Sequence, residues 1–211
     1  MFSFLKKNKP LLKDFIPNGF TDIHSHVLWG LDDGAKTELD TKSLFEQMKA
    51  LGFGRIITTP HIMSHVWENT TEGIALKENE VRKAQSGWGH SIPFKAAGEY
   101  LLDGNFRNKL ENETLLPLKG NLVLVELSYS NPPIQLYEIL YDIQIKGYKP
   151  LLAHPERYLY YANAFSTFKQ LKKAGCMFQL NLLSTTGYYG KDVLQLAEKL
   201  LQQELIDFVG S

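Results

Sequence analysis

Short apolar runs recur at residues 19–24, 54–60, 93–98, 122–127, 149–154, 176–182 and 205–210, and most are bounded by Gly or Pro, the pattern of strands. Between them lie stretches of helical character at 38–51, 71–85, 134–146, 164–174 and 191–203, with a shorter one at 105–111. In the first helix Leu44, Phe45, Met48 and Leu51 fall at near-helical spacing, and Thr37 with Asp40 reads as an N-cap with its capping-box acid. Seven strands alternating with helices predict one parallel, barrel-like α/β domain. A doubly wound open sheet is the competitor, but it gathers residues from five strand ends into one site less naturally.

Such a gathering is what the polar positions ask for. The apolar runs end in Thr21-Asp22-Ile23-His24-Ser25-His26, Thr59-Pro60-His61, Gly98-Glu99-Tyr100, Val125-Glu126-Leu127 and Ala153-His154-Pro155-Glu156-Arg157. Ligands so far apart in sequence meet only if the strand ends meet, as they do at the C-terminal rim of a parallel barrel. In an extended segment His24 and His26 point the same way, with Asp22 on that face, so both imidazoles can reach one metal.

Each of these residues also has a plainer reading. A His-x-His alone is as well explained by surface or core histidines, and His61 or His154 alone by a hydrogen-bonded histidine at a loop start. Asp33, in Asp32-Asp33-Gly34, suits a turn, although the turn follows the His-x-His strand and so faces the rim. Glu99 and Glu126 shift the balance, because an unpaired carboxylate ending an apolar run is costly to bury and metal coordination supplies the compensation. The joint pattern predicts a multinuclear metallohydrolase. Imidazole and carboxylate donors without thiolate suit manganese, iron or zinc, and ligand type does not choose among them. Arg157 can present a fixed fork to a phosphate on the same rim, or pair at the surface with Glu156.

Composition narrows the classes. The 211 residues carry 23 Lys plus Arg against 23 Asp plus Glu, so total charge recruits neither nucleic acid nor an anionic membrane. The single cysteine, Cys176, allows no intrachain disulfide and suits a reducing compartment. A thiolate phosphatase loop, Cys-x5-Arg, would need arginine where the chain has Leu182, so Cys176 reads as core. No run approaches the roughly 20 apolar residues of a membrane span. Residues 1–18 lack the long apolar core of a secretory signal and read as a leader before a domain at 19–211, in a cytoplasmic protein.

Together, Asp22-Ile23-His24-Ser25-His26, the Asp32-Asp33-Gly34-Ala35-Lys36 turn, Thr59-Pro60-His61, Ala97-Gly98-Glu99-Tyr100 and Ala153-His154-Pro155-Glu156-Arg157-Tyr158 resemble the PHP (polymerase and histidinol phosphatase) superfamily, and within it the capsule-operon tyrosine phosphatases of the CpsB/YwqE type. The resemblance implies a distorted seven-stranded parallel (β/α)7 TIM-like barrel and a trinuclear, manganese-preferring site. It also implies a phosphotyrosine protein as substrate, a bacterial tyrosine autokinase controlling capsule or exopolysaccharide export. By motif, His24 and His26 would bind the first ion and Glu99 would bridge it to the second. Glu126 and His154 would complete the second site, Asp33 and His61 would serve the third, and Arg157 would hold the phosphate. The family continues past its last strand with Ser-Asp-x-His and a closing helix, whereas this sequence stops at Val209-Gly210-Ser211. The expectation for this stretch is therefore a barrel truncated at its C-terminal end, binding metal partially and hydrolysing poorly.

Two other functions share these residues: a small-molecule phosphoesterase of the histidinol-phosphatase kind, with a more closed pocket, and a non-catalytic binding module. Some residues stay outside the assignment. His65 and Trp67 read as a lid over a phenol ring or as an ordinary polar loop, and His90 as exposed. Tyr158, Tyr160, Tyr161, Tyr188 and Tyr189 read as a substrate approach or as helix packing. Asn181 ends a strand at the rim without a role.

Overall fold

A computed structural model describes residues 11–89 and 91–211, so the expectation for His90 and for the first part of the leader falls outside the described residues. The strands are β1 (Phe20–Asp22), β2 (Phe53–Thr58), β3 (His61–Ile62), β4 (Phe94–Ala96), β5 (Glu99–Leu101), β6 (Leu122–Glu126), β7 (Lys149–Ala153), β8 (Met177–Asn181) and β9 (Phe208–Gly210). The helices are α1 (Glu38–Ala50), α2 (Thr71–Gln85), α3 (Phe106–Asn112), α4 (Leu136–Ile145), α5 (Ser166–Lys173) and α6 (Lys191–Gln202). Every strand pairing is parallel, in the orders β1-β2-β4 and β3-β5-β6-β7-β8-β9.

The described residues thus hold nine strands where the apolar pattern predicts seven, because two of the expected runs end early and a further short strand forms just beyond each. The run 54–60 stops at Thr58: Thr59 donates to Ser25 O, Pro60 has no N–H to offer a ladder, and pairing resumes at His61. The run 93–98 stops at Ala96, where Ala97 still donates to Thr58 O, and Gly98 turns away to Leu116 O before β5 begins. A Cβ on Gly98 would come within 2.7 Å of Ile62 Cδ1 and 2.8 Å of Tyr100 Cε2, so two buried side chains would have to shift to admit one. Each break moves the following residue, His61 or Glu99, into register with the other, and these two are direct neighbours across β3 and β5.

Strands buried on both faces lie between two apolar surfaces. On β6, Val123 and Val125 join the large cluster that includes Ile139, Leu140 and Ile143 of α4. The alternate residue Leu124 joins an inner cluster with Ile57, Leu151, Ala97 and Ala153. Glu126 follows Leu124 by two residues, so strand alternation carries its carboxylate to the upper edge of that inner layer. A third cluster, built on Phe45, Met48, Ile56 and Phe94, seats α1 against β2 and β4. At the start of α1 the Thr37 side chain accepts from Asp40 N at 3.2 Å and Asp40 accepts from Thr37 N at 2.9 Å, the capping box that the sequence predicts. Cys176 is buried in the large cluster and burial pushes its thiol up to about 12, in keeping with a core role. No described helix is long and apolar enough to cross a membrane.

Candidate metal centre

The seven predicted donors converge. His24 and His26 follow β1, Asp33 lies in the next turn, His61 opens β3, Glu99 opens β5, Glu126 closes β6 and His154 follows β7. All seven line one cleft of about 380 Å³ with Arg157. Their donor atoms form three overlapping trios: His24, Glu99 and His154; His26, Asp33 and His61; His61, Glu99 and Glu126. Within each trio the donor atoms lie within 4.8 Å of one another. The grouping differs from the one that the resemblance implies, since His24 and His26 fall in different trios and Glu126 sits closer to His61 than to His154.

Glu99 is the hub. Its Oε2 lies 3.2 Å from His24 Nε2, 3.4 Å from His26 Nε2 and 3.2 Å from His61 Nδ1, while Oε1 lies 3.2 Å from His154 Nε2. Yet this buried Oε2 has no hydrogen-bond partner, and neither has Glu126 Oε1, although His61 Nδ1 is 2.8 Å away. Proximity without hydrogen-bond geometry is what ligand atoms arranged to share a metal ion would show, and a buried carboxylate oxygen without a partner is costly. The donor chemistry agrees: with neutral imidazoles, Asp33, Glu99 and Glu126 leave the cleft strongly negative. That charge already acts on protons. Burial opposes ionisation of His26, but Asp32 and Glu99 overcome it and raise its pKa to about 10. Burial also opposes ionisation of Glu99, but the surrounding histidines hold its carboxyl well below the usual range. For His154 burial prevails and its pKa falls.

Two residues that the sequence reading passed over aim the imidazoles. His24 Nδ1 donates to Gln179 Oε1 at 2.7 Å, and His26 Nδ1 donates to Asp32 Oδ2 at 2.6 Å, so each ring turns its Nε2 toward Glu99. Asp32 is buried and also accepts from His61 N at 3.0 Å and Gly34 N at 3.0 Å, tying the turn to two donors. Its neighbour Asp33 is exposed, with Oδ1 3.6 Å from His61 Nε2. Asp22, expected on the metal-facing side of its strand, belongs to none of the trios; it is buried and accepts from Ser211 N at 2.8 Å. His154 holds a left-handed backbone, φ 35°, an uncommon state for a residue with a side chain and one that collects at functional sites.

Arg157 does not pair with Glu156. That carboxylate turns inward, accepting from Asn181 N at 2.9 Å and Ser184 Oγ at 2.6 Å, and burial raises its pKa. The guanidinium instead sits 4.4 Å from the ring centre of Tyr129 and 4.6 Å from that of Tyr189. Tyr129 escaped the sequence reading; its one signal is its place three residues after Glu126 in a loop. Of the tyrosines left open, Tyr188 and Tyr189 line the cleft, whereas Tyr158 is buried and its hydroxyl accepts from Leu127 N at 2.9 Å. Trp67 also lines the cleft, stacked on His61 at 4.8 Å and 11°, while His65 stands exposed beside Glu68. Asn181 lines the cleft as well, and its Oδ1 accepts from Gln179 Nε2 at 3.0 Å.

Fold and site together define a class: an α/β protein of parallel sheets with a candidate metal centre of histidines and carboxylates at its strand ends. The chain belongs to the family described as capsular polysaccharide synthesis, CpsB/CapC, which matches residues 20–211. Tyrosine-protein phosphatase YwqE of Bacillus subtilis is 28% identical over 191 residues, covering 90% of this chain and 75% of that protein. Tyrosine-protein phosphatase CpsB of Streptococcus pneumoniae is 27% identical over 196 residues, covering 90% and 81%. Among solved structures, a chain described under crystal structures of YwqE from Bacillus subtilis and CpsB from Streptococcus pneumoniae, unique metal-dependent tyrosine phosphatases, superposes with a TM-score of 0.85 at 27% identity. The superposition covers 91% of this chain and 78% of that one.

Proposed function

We propose that this chain is a metal-dependent tyrosine phosphatase of capsule synthesis, hydrolysing phosphotyrosine on a protein, a bacterial tyrosine autokinase that controls capsule or exopolysaccharide export. The observation that carries the reading is the clustering of three overlapping donor trios, two of them sharing Glu99, in one cleft beside the Arg157 guanidinium, in a family whose relatives bear the tyrosine-phosphatase name. His24, His26, Asp33, His61, Glu99, Glu126 and His154 would hold two or three divalent ions, with manganese favoured by the resemblance and iron or zinc compatible with the donors. Bound there, such ions polarise a phosphoryl oxygen and lower the pKa of water.

The chain's own residues do the rest. Gln179 and Asp32 hold His24 and His26 in one tautomer each. Arg157, kept in place by two aromatic faces, offers a fork to phosphate oxygens and stabilises negative charge there. Tyr188, exposed at 72%, stands on the rim of the cleft, where it would meet the phenol ring of a phosphotyrosine side chain. We further read the strands as a closed seven-stave barrel in which β2 with β3 and β4 with β5 each form one stave. Support comes from the last strand reaching the first: Ser211 N donates to Asp22 Oδ1 at 2.8 Å and Ser211 Oγ to His24 O at 3.0 Å. A cytoplasmic setting suits the lone buried thiol.

Phosphate release from a phosphotyrosine peptide, a phosphoserine peptide and histidinol phosphate, each with manganese, tests the reading. The phosphotyrosine peptide is expected to turn over fastest. Faster release from histidinol phosphate would make the chain a small-molecule phosphoesterase, and no release from any of the three with metal bound would make it a binding module.

A further inference from the structure

A second cavity, larger than the metal cleft at about 810 Å³, opens at the opposite ends of the strands. It shares no lining residue with the metal cleft. Its wall includes the first residues of β6, β7, β8 and β9, namely Leu122, Lys149, Met177 and Phe208. Strand alternation explains who faces it. Ile57 and Leu151 belong to the inner apolar layer, so Arg55 and Lys149, two residues earlier on the same strands, point to the same side one step lower. Lys95 stands two residues before the inner Ala97, and Lys119 joins from the loop before β6.

The chemistry of this wall is one-sided. Arg55, Lys95, Lys119 and Lys149 line the cavity, and no aspartate or glutamate does. Among the described residues none of the four is ion-paired with a carboxylate; Lys95 donates only to Pro117 O, at 3.1 Å. In a chain whose charges balance at 23 against 23 in total, these cations gathered around one opening form a local anion-attracting field, with Arg55, Lys119 and Lys149 as its main sources because Lys95 is partly desolvated and feels Glu78. Behind them the surface is apolar: Ile57 and Leu118 are buried, and Ile23, Met177 and Phe208 are half-buried around them. A volume of this size lies in the range of small-molecule sites, which are mostly apolar with a few placed polar groups.

We propose that this cavity binds a small amphipathic anion, an aliphatic chain bearing a phosphate or phosphonate head, with the chain against Ile57, Met177 and Phe208 and the head among Arg55, Lys119 and Lys149. An apolar ligand would leave the cations unanswered, and inorganic phosphate would leave the apolar wall wet. The site is separated from the metal centre by the layer of Leu124, Leu151 and Ala97, so it does not depend on the catalytic reading.

Calorimetric titration of the full chain with decylphosphonate, whose head resists hydrolysis, tests the proposal. Saturable one-to-one binding is expected, with methylphosphonate and decanol each weaker by at least about tenfold. The double variant Arg55→Glu/Lys149→Glu should weaken decylphosphonate by about tenfold or more, whereas Arg157→Ala should leave it unchanged. Thermal unfolding and metal content equal to wild type show that the double variant is folded. Should it not fold, Lys149→Gln alone is expected to weaken binding about threefold. Absence of saturable binding, equal binding of methylphosphonate or decanol, or equal binding by the charge variants would overturn the site. So would loss of binding in Arg157→Ala, which would place the probe in the metal cleft.

Discussion

Arg157 is a cation with no donor pair for a metal, held between Tyr129 and Tyr189 and facing the cleft. Its substitution therefore separates phosphate handling from metal handling. Arg157→Ala should keep full metal content and lower the phosphotyrosine rate by about tenfold or more through lost charge stabilisation. Equal rates would make it a packing residue. Asp32 makes the opposite case: it touches no trio as a donor but fixes the tautomer of His26 and the backbone of His61. Asp32→Asn should weaken manganese binding by about 10- to 100-fold, with secondary structure unchanged, as loss of an outer-shell partner commonly does. An unchanged titration would show that the His26 contact is dispensable. The sequence announced the donors more clearly than their supports because a histidine or glutamate ending an apolar run is anomalous, whereas Asp32 looks like any turn aspartate. Gln179 gave a faint signal, a polar residue inside the run 176–182, but nothing in the run says that it faces His24 across the molecule.

The turn after β1 acts as a unit. Ala35 N donates to His26 O at 3.0 Å, and a Cβ on Gly34 would overlap His26 O and Cβ, so only glycine lets the turn lie against the His-x-His segment. Gly34→Ala must push the turn outward and carry Asp32 and Asp33 with it. Manganese affinity is expected to fall by about tenfold even though no donor has been altered. Wild-type affinity in that variant would mean the turn has slack that the packing does not show. The helices were readable almost to their ends, because their capping and spacing are local; α1, α2 and α6 lie within a residue or two of the expected spans. The strands were less so. The breaks at Pro60 and Gly98 answer to partners distant in sequence, Ser25 O and Leu116 O, which no local pattern records. Those breaks nevertheless decide the site, since they set His61 against Glu99.

Across the chain, a parallel arrangement brings five strand ends together and leaves Glu99 shared by two of the three donor trios. Its burial is tolerable because positive charge answers it: protons on His24, His26 and His61, whose pKa values are raised beside it, or divalent ions if the trios hold them. Convergence of this kind could be inferred from the spacing of the donors, but its partition into trios could not, because ring orientation depends on Gln179 and Asp32. If the cleft is a metal centre that hydrolyses phosphotyrosine, Glu99 is the residue on which most of it rests. The direct test is divalent metal per chain, by elemental analysis, in wild type and Glu99→Gln protein loaded with manganese, with phosphotyrosine-peptide turnover measured on the same samples. The account predicts more than one tightly held ion in wild type, less than about one in Glu99→Gln, and a rate lower by about 100-fold or more. Equal metal content and equal turnover in the two proteins would contradict it.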